Sequence, residues 1–260
     1  MPPLTVSVRA VDSATVLPVA GKGAGARERQ TLGPATDFKA LHQAVLEVDP
    51  GESLARSAGG HEEVLFVLDG EGSLALGGDT YPLEPESGAH LAPGEKYAVF
   101  NTGGRPLTLI SVRIPEPVDS DGTGSPQADR AVVRRLADQQ SESATTDREF
   151  RIVADPTTGL TSATHFVGYI PTARAPEHFH TYAEVIYVLD GEGVMHAEGN
   201  DWQLHAGSCI QLPARVVHCL ENTGEDVMRV VAVFRPAGSP AAAYYPDGTP
   251  AHPAAPPLSS

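Results

Sequence analysis

Four residues in the second half of the chain, His178, His180, Glu184 and His218, have the types and spacing that hold a transition metal. On a β-strand successive side chains alternate faces, so positions 178, 180 and 184 share a parity and converge on one interior point if the strand stays regular. His218, just beyond the Pro213-Ala-Arg turn, is placed to arrive from a crossing strand as a fourth ligand. Three neutral imidazoles and one carboxylate suit one divalent ion of Fe, Mn, Ni or Zn per chain, with Cu and Co in the same range. They leave one or two positions open for substrate, water or oxygen. A single histidine on a strand is ordinarily a surface or satisfied core residue. Four ligand types on one face are harder to read that way, because buried imidazole and carboxylate without a partner are costly. Tyr182 shares the parity of 180 and 184, and Arg215 stands at the turn before His218. Both are candidate substrate contacts, Arg215 toward an anion, although Tyr182 also reads as barrel core and Arg215 as a solvent-facing turn residue. Glu177 and Tyr187 have the opposite parity. No further catalytic acid or base is evident.

The elements that must position these residues come in two copies. Residues 63–72, EVLFVLDGEG, and 184–193, EVIYVLDGEG, share eight of ten residues, and the same offset of 121 carries Asn101-Thr-Gly onto Asn222-Thr-Gly. Short apolar or alternating runs such as 64–68, 73–76, 89–92, 97–101 and 107–112 are punctuated by Asp-Gly-Glu-Gly, Gly-Gly-Asp and Pro-Gly-Glu. This is the strand-and-turn rhythm of an antiparallel sandwich or barrel, and it predicts an all-β fold. The predicted division is an N-terminal segment 1–39, a first barrel 40–114, a linker 115–149 with room for one short helix around 128–140, and a second barrel 150–235. A Pro/Ala-rich tail, 236–260, is expected to be flexible unless it packs on a partner. Applying the offset to the ligand set maps His178 onto Ser57, His180 onto Gly59, Glu184 onto Glu63 and His218 onto Tyr97. Only the carboxylate survives, so the first barrel is expected to lack a metal site, with Glu63 hydrogen-bonded, Tyr97 being one partner.

Composition narrows the function classes. The 260 residues carry 33 acidic and 18 basic side chains, a net charge of -15 that gives nucleic acid and anionic lipid no electrostatic footprint. No apolar run approaches the roughly 20 residues of a membrane span, and the N-terminus has no secretory pattern, so a cytoplasmic protein without membrane is expected. Two cysteines, Cys209 and Cys219, make no disulfide scaffold. The expected partner is a small-molecule substrate, and a homo-oligomer is open.

The run Pro176-Glu-His178-Phe-His180-Thr-Tyr-Ala-Glu184, six residues, Gly191 resembles the first cupin motif. Gly207, five residues, Pro213-Ala-Arg-Val-Val-His218, three residues, Asn222 resembles the second, with Arg215 where that motif usually has the glycine of Pro-x-Gly. The resemblance covers about residues 40–114 and 160–235 and implies a bicupin, two tandem jelly-roll barrels with the metal site in the second. Among bicupins the arrangement is most similar to the (S)-ureidoglycine aminohydrolase family, including the Asn200-Asp-Trp202 turn. That family, however, carries Glu at the position of His178, His at that of Glu184 and Gln at that of His218.

Because one barrel serves many chemistries, the site must decide the function. A divalent ion with one carboxylate leaves a local charge of about +1 inside an acidic protein, which favours a small anionic or metal-chelating substrate. The leading reading is a mononuclear Fe(II) oxygenase. The alternatives are a redox-neutral hydrolase, lyase or isomerase using Mn, Zn or Ni, of ureidoglycine aminohydrolase type, and a non-catalytic small-ligand binding protein.

Overall fold

The structure is a computed structural model that describes residues 7–21, 25–115 and 130–258. Its strands in the first half are β1 (Arg9–Asp12), β2 (Val19–Ala20), β3 (Ala26–Leu32), β4 (His42–Val48), β5 (Ser53–Ser57), β6 (Glu62–Asp69), β7 (Gly72–Leu76), β8 (Asp79–Leu83), β9 (Ser87–Leu91), β10 (Lys96–Asn101) and β11 (Leu107–Ile114). The second half contributes β12 (Val133–Arg135), β13 (Glu142–Ser143), β14 (Glu149–Ala154), β15 (Thr164–Ile170), β16 (Ala183–Asp190), β17 (Glu192–Ala197), β18 (Asn200–His205), β19 (Ser208–Leu212), β20 (His218–Asn222) and β21 (Met228–Arg235). Each barrel pairs a seven-stranded sheet with a smaller one. The orders are β12-β9-β6-β11-β4-β3-β2 and β5-β10-β7-β8 in the first barrel, and β1-β19-β16-β21-β15-β14-β13 and β18-β17-β20 in the second. The fold is all-β, with two tandem barrels, and no described helix is long and apolar enough to cross a membrane.

The repeated motifs are places where the backbone leaves no choice. Gly70 and Gly191 sit at φ 86° and 88°, in the left-handed region that favours glycine. A Cβ on Gly72 or Gly193 would fall 2.3 Å from the Phe100 carbonyl oxygen or 2.2 Å from that of Glu221, so the neighbouring strand excludes any side chain there. Asn101 and Asn222 tie equivalent corners. Each Nδ2 donates to two backbone carbonyls, Val48 and Arg105 or Ile170 and Asp226, and each Oδ1 accepts from the glycine of its Asn-Thr-Gly at 2.9 Å.

The segments outside the repeat take part in both barrels. β1 pairs with β19, so the N-terminal segment adds an edge strand to the second barrel while β3 pairs with β4 in the first. The later half of the predicted linker does likewise: β12 pairs with β9 of the first barrel and β13 with β14 of the second. In place of a short helix the described part has these strands and one 3-10 turn, Leu136–Asp138; residues 116–129 lie outside the described region. Edge strands that would otherwise present unpaired backbone groups are thereby covered. Between the barrels one continuous core joins Phe66, Ile110 and Val112 to Val167, Val185, Val231 and Val233.

The predicted flexible tail is instead packed. Tyr244 is fully buried, stacks on Phe179 with centroids 5.5 Å apart, bridges to it through the backbone, and donates its hydroxyl to Pro256 O at 2.6 Å. The small side chains of this Pro/Ala-rich segment let it lie close against the barrel. Ala241 and Ala255 are buried in it.

Candidate metal centre

His178 and His180 do not sit on one regular strand with Glu184. They belong to an irregular segment in which His178 and His218 form an isolated antiparallel bridge, N to O at 3.0 and 2.8 Å in the two directions. A bend at Thr181-Tyr182 follows, and only then does β16 begin and carry Glu184. His218 opens β20. One donor atom from each of His178, His180 and His218 falls within 4.8 Å of the others. The Glu184 carboxylate does not join this group, although it lines the same cavity and is buried.

The donor set fits a transition ion for a reason visible in the bonding of the rings. Each Nδ1 lies 2.9 Å from a backbone carbonyl: His178 with Pro176, His180 with Ala242 and His218 with Val216. A carbonyl only accepts, so each Nδ1 carries the proton and each Nε2 presents a lone pair. Three lone pairs gathered in one place repel unless a cation lies between them, and ligands oriented through their second nitrogen are the usual arrangement of metal-binding histidine. Burial, with Arg148, holds the rings neutral, and the neighbouring imidazoles add to this at His180 and His218: His180 is pushed down to about 3, and His178 and His218 are lowered. For Glu184, burial alone pushes the carboxyl up to about 8.

The cavity behind the imidazoles has a volume of about 100 Å³. Its apolar wall includes Phe150, Phe166, Ile170, Met195 and Leu220, and Pro240, Ala241 and Ala243 of the C-terminal segment close one side. Tyr182 lines it, stacked between His180 (4.5 Å) and Phe234 (3.8 Å), and its hydroxyl donates to Pro240 O at 3.3 Å. Arg215 is exposed and is not a lining residue; its backbone N–H donates to His180 O at 2.7 Å from a left-handed conformation, φ 64°. Sequence reasoning missed Arg148, which lines the cavity from a segment read as linker, and the Ala242 carbonyl that orients His180. No local sequence signal marks either one, because both act through chain segments brought in by long-range pairing.

The equivalent point of the first barrel holds a protein cation. The Arg56 guanidinium, its side chain 7% exposed, donates from Nε to Tyr97 Oη at 3.1 Å and from Nη2 to Glu63 Oε1 at 3.1 Å, linking the residues that stand where His218 and Glu184 stand in the second barrel. Nη1 reaches Glu28 at 2.6 Å, and Ser111 Oγ donates to Glu63 at 2.6 Å. Glu63 is thus bonded to Arg56 and Ser111, with Tyr97 reached through the guanidinium.

Comparison with known proteins places this geometry. No curated protein matches the chain. The fold is similar to that of protein YlbA from E. coli, at 11% identity over 88% of this chain and 91% of that one with a TM-score of 0.72. AerE from Microcystis aeruginosa is similar at 13% identity over 85% and 96%, with a TM-score of 0.69. A mutant of Bacillus subtilis oxalate decarboxylase OxdC is similar at 14% identity over 87% and 76%, also with a TM-score of 0.69. At these identities the likeness is one of fold. The cupin domain model, however, matches the sequence itself at residues 44–113 and again at 165–234, more than half of the chain, and the protein therefore belongs to the cupin superfamily as a bicupin.

Proposed function

We propose that the second barrel is a metal-dependent enzyme site for a small anionic or metal-chelating compound, with a mononuclear Fe(II) oxygenase as its leading reaction class. The observation that carries this reading is the convergence of three Nδ1-anchored imidazoles at a small, largely apolar cavity. Three protein ligands leave coordination positions free for a chelating substrate and for O₂. When bound, a divalent ion supplies Lewis-acid or redox chemistry at that point. The chain's own residues hold the ion through the three Nε2 atoms, exclude water with Phe150, Phe166 and Leu220, and offer the Glu184 carboxyl either as a fourth ligand or as a group that moves a proton.

A redox-neutral hydrolase, lyase or isomerase using Mn, Zn or Ni is the second reading. It is favoured by the Glu184 carboxylate standing outside the imidazole group, where it can exchange a proton with a substrate rather than hold the ion. Oxalate decarboxylase, to which the fold is similar, acts by its name on a small dicarboxylate, which supports the anionic substrate class. The test is elemental analysis of the purified protein, followed by assays of small oxo-, hydroxy- and ureido-acids in air and under nitrogen. Iron content with substrate-dependent oxygen uptake supports the oxygenase. Equal turnover under nitrogen supports the second reading. Tight binding without any product overturns both.

A further inference from the structure

We propose that Arg148 is the carboxylate-binding residue of this site. The compound it takes is then a short carboxylic acid whose carboxylate meets the guanidinium while an oxygen at its other end faces the three imidazoles. The inference rests on the metal-site reading and narrows its substrate class.

Arg148 is carried on a tight hairpin between β13 and β14. Thr146 and Asp147 at its tip have φ 61° and 55°, both in the left-handed region; Arg148 N–H closes the turn on Thr145 O at 3.4 Å, and Ala144 N–H donates to Arg148 O at 2.8 Å. Two non-glycine residues in this conformation are unusual. The turn delivers the Arg148 side chain to the cavity that His178, His180, His218 and Glu184 also line. There it donates from Nη2 to Leu220 O, on the strand that carries His218. That bond uses one of the five N–H donors of a guanidinium.

Among the described residues Arg148 faces no anion, a feature it shares with the half-buried Arg151 and Arg235, but of the three it alone lines the cavity. Arg56 and Arg130, by contrast, face carboxylates: Arg56 has Glu28 and Glu63, and Arg130 has Glu95. Among the described residues no carboxylate oxygen lies within 4.0 Å of Arg148. The two acids adjacent in sequence, Asp147 and Glu149, are both exposed, and Glu149 accepts from Ser141 Oγ at 2.7 Å. A buried cation without a counter-charge is costly to maintain, and a guanidinium matches a planar carboxylate through two parallel hydrogen bonds. The walls around it, Phe150, Phe166, Met195 and Leu220, offer nothing to a second charge, so the body of the compound is apolar and, in a cavity of about 100 Å³, short.

The test uses the full chain loaded with Mn(II), titrated calorimetrically with glycolate, 3-hydroxypropanoate and 4-hydroxybutanoate, and with the neutral amide of each. At least one acid is expected to bind wild type tenfold or more tightly than R148Q, while the amides bind both proteins alike and metal content is unchanged. Acid binding that is equal in wild type and R148Q, no acid binding to the wild type, or tighter binding of inorganic phosphate than of every acid overturns the proposal. If R148Q does not fold, R148K decides: loss of threefold or more in acid affinity supports it, and no loss overturns it. If elemental analysis finds that the wild type takes up no ion, the metal-centre reading fails by itself, and the comparison of acid with amide on the metal-free chain still decides Arg148.

Discussion

His180 Nδ1 lies 2.9 Å from the carbonyl oxygen of Ala242, so a segment 62 positions later in the chain fixes the proton, and with it the ring orientation, of a candidate metal ligand. That segment is held by the stacked pair Phe179 and Tyr244, one of which stands between the two neighbouring histidines in sequence. Tyr244→Ala removes a fully buried aromatic, which costs about 3–5 kcal/mol by the usual large-to-small scale. It should also weaken metal retention about 10-fold or more, in line with the loss of other groups that orient a ligand from behind. Tyr244→Phe, which loses only the bond to Pro256 O, should keep the ion. Competition with a chelator, read beside melting curves, checks the pair; full metal retention by Tyr244→Ala would remove the role given to this segment.

One ion per chain is expected, held in the second barrel. His178→Ala combined with His180→Ala should abolish uptake, and chelator should lower the melting temperature of wild type at pH 7.5, since an ion that binds only the folded state stabilises it by mass action. Elemental analysis giving two ions per chain, or a double variant with full metal content, contradicts this.

In the first barrel the Arg56 guanidinium and the Glu63 carboxylate are both buried, their side chains 7% and 0% exposed. Arg56→Ala takes the buried guanidinium from that carboxylate, leaving it the Ser111 hydroxyl and Arg113 Nε at 3.4 Å, and should destabilise the protein by about 3 kcal/mol, the low end of the range for breaking a buried pair. Tyr97→Phe gives up a single hydrogen bond and should cost about 1 kcal/mol. Neither should alter the metal content of the second barrel, and Tyr97→Phe and Glu63→Gln should keep turnover. Loss of turnover in those two at unchanged melting temperature would make the first barrel a functional site.

The repeat was legible because Gly70, Gly72 and Asn101 answer to local geometry that recurs at Gly191, Gly193 and Asn222, and local geometry is written in residue type. The three histidines were legible for the same reason: ligand chemistry restricts residue type. The strand β1, the later half of the linker and the C-terminal segment were not, because their order comes from distant partners such as β19, β9 and Phe179. Parity placed Glu184 with the imidazoles on the assumption of a regular strand, and the bend at Thr181-Tyr182 breaks that assumption.

Between the barrels His165 is buried and packs edge-on against Phe66 of the first barrel, with centroids 5.8 Å apart. Burial, reinforced by His90, pushes its imidazole down to about 3. The unfolded chain, with an ordinary value near 6.5, takes up the proton first. Stability from keeping His165 neutral is therefore fully present above about pH 6.5 and falls as pH drops toward 3, by up to about 1.4 kcal/mol per pH unit. His165→Leu removes this proton and should flatten the difference in urea midpoint between pH 6.5 and pH 4.5 relative to wild type. Identical pH dependence of the two proteins would show that His165 does not drive acid unfolding.

Arg215 occupies the position where the second cupin motif usually has glycine, and it does so at φ 64° with its side chain exposed. A non-glycine residue held in the left-handed region carries a steric cost that glycine lacks, although glycine also gives the unfolded chain more freedom. Arg215→Gly should therefore be neutral or stabilising by up to about 1 kcal/mol. The backbone bond from residue 215 to His180 O survives the substitution, so the segment carrying the ligand keeps its place. Because the guanidinium lies outside the residues that line the cavity, turnover and metal content should be unchanged. A tenfold fall in turnover with intact melting temperature and metal content would instead return Arg215 to the list of substrate contacts and put the mouth of the site on the Pro213-Ala-Arg turn.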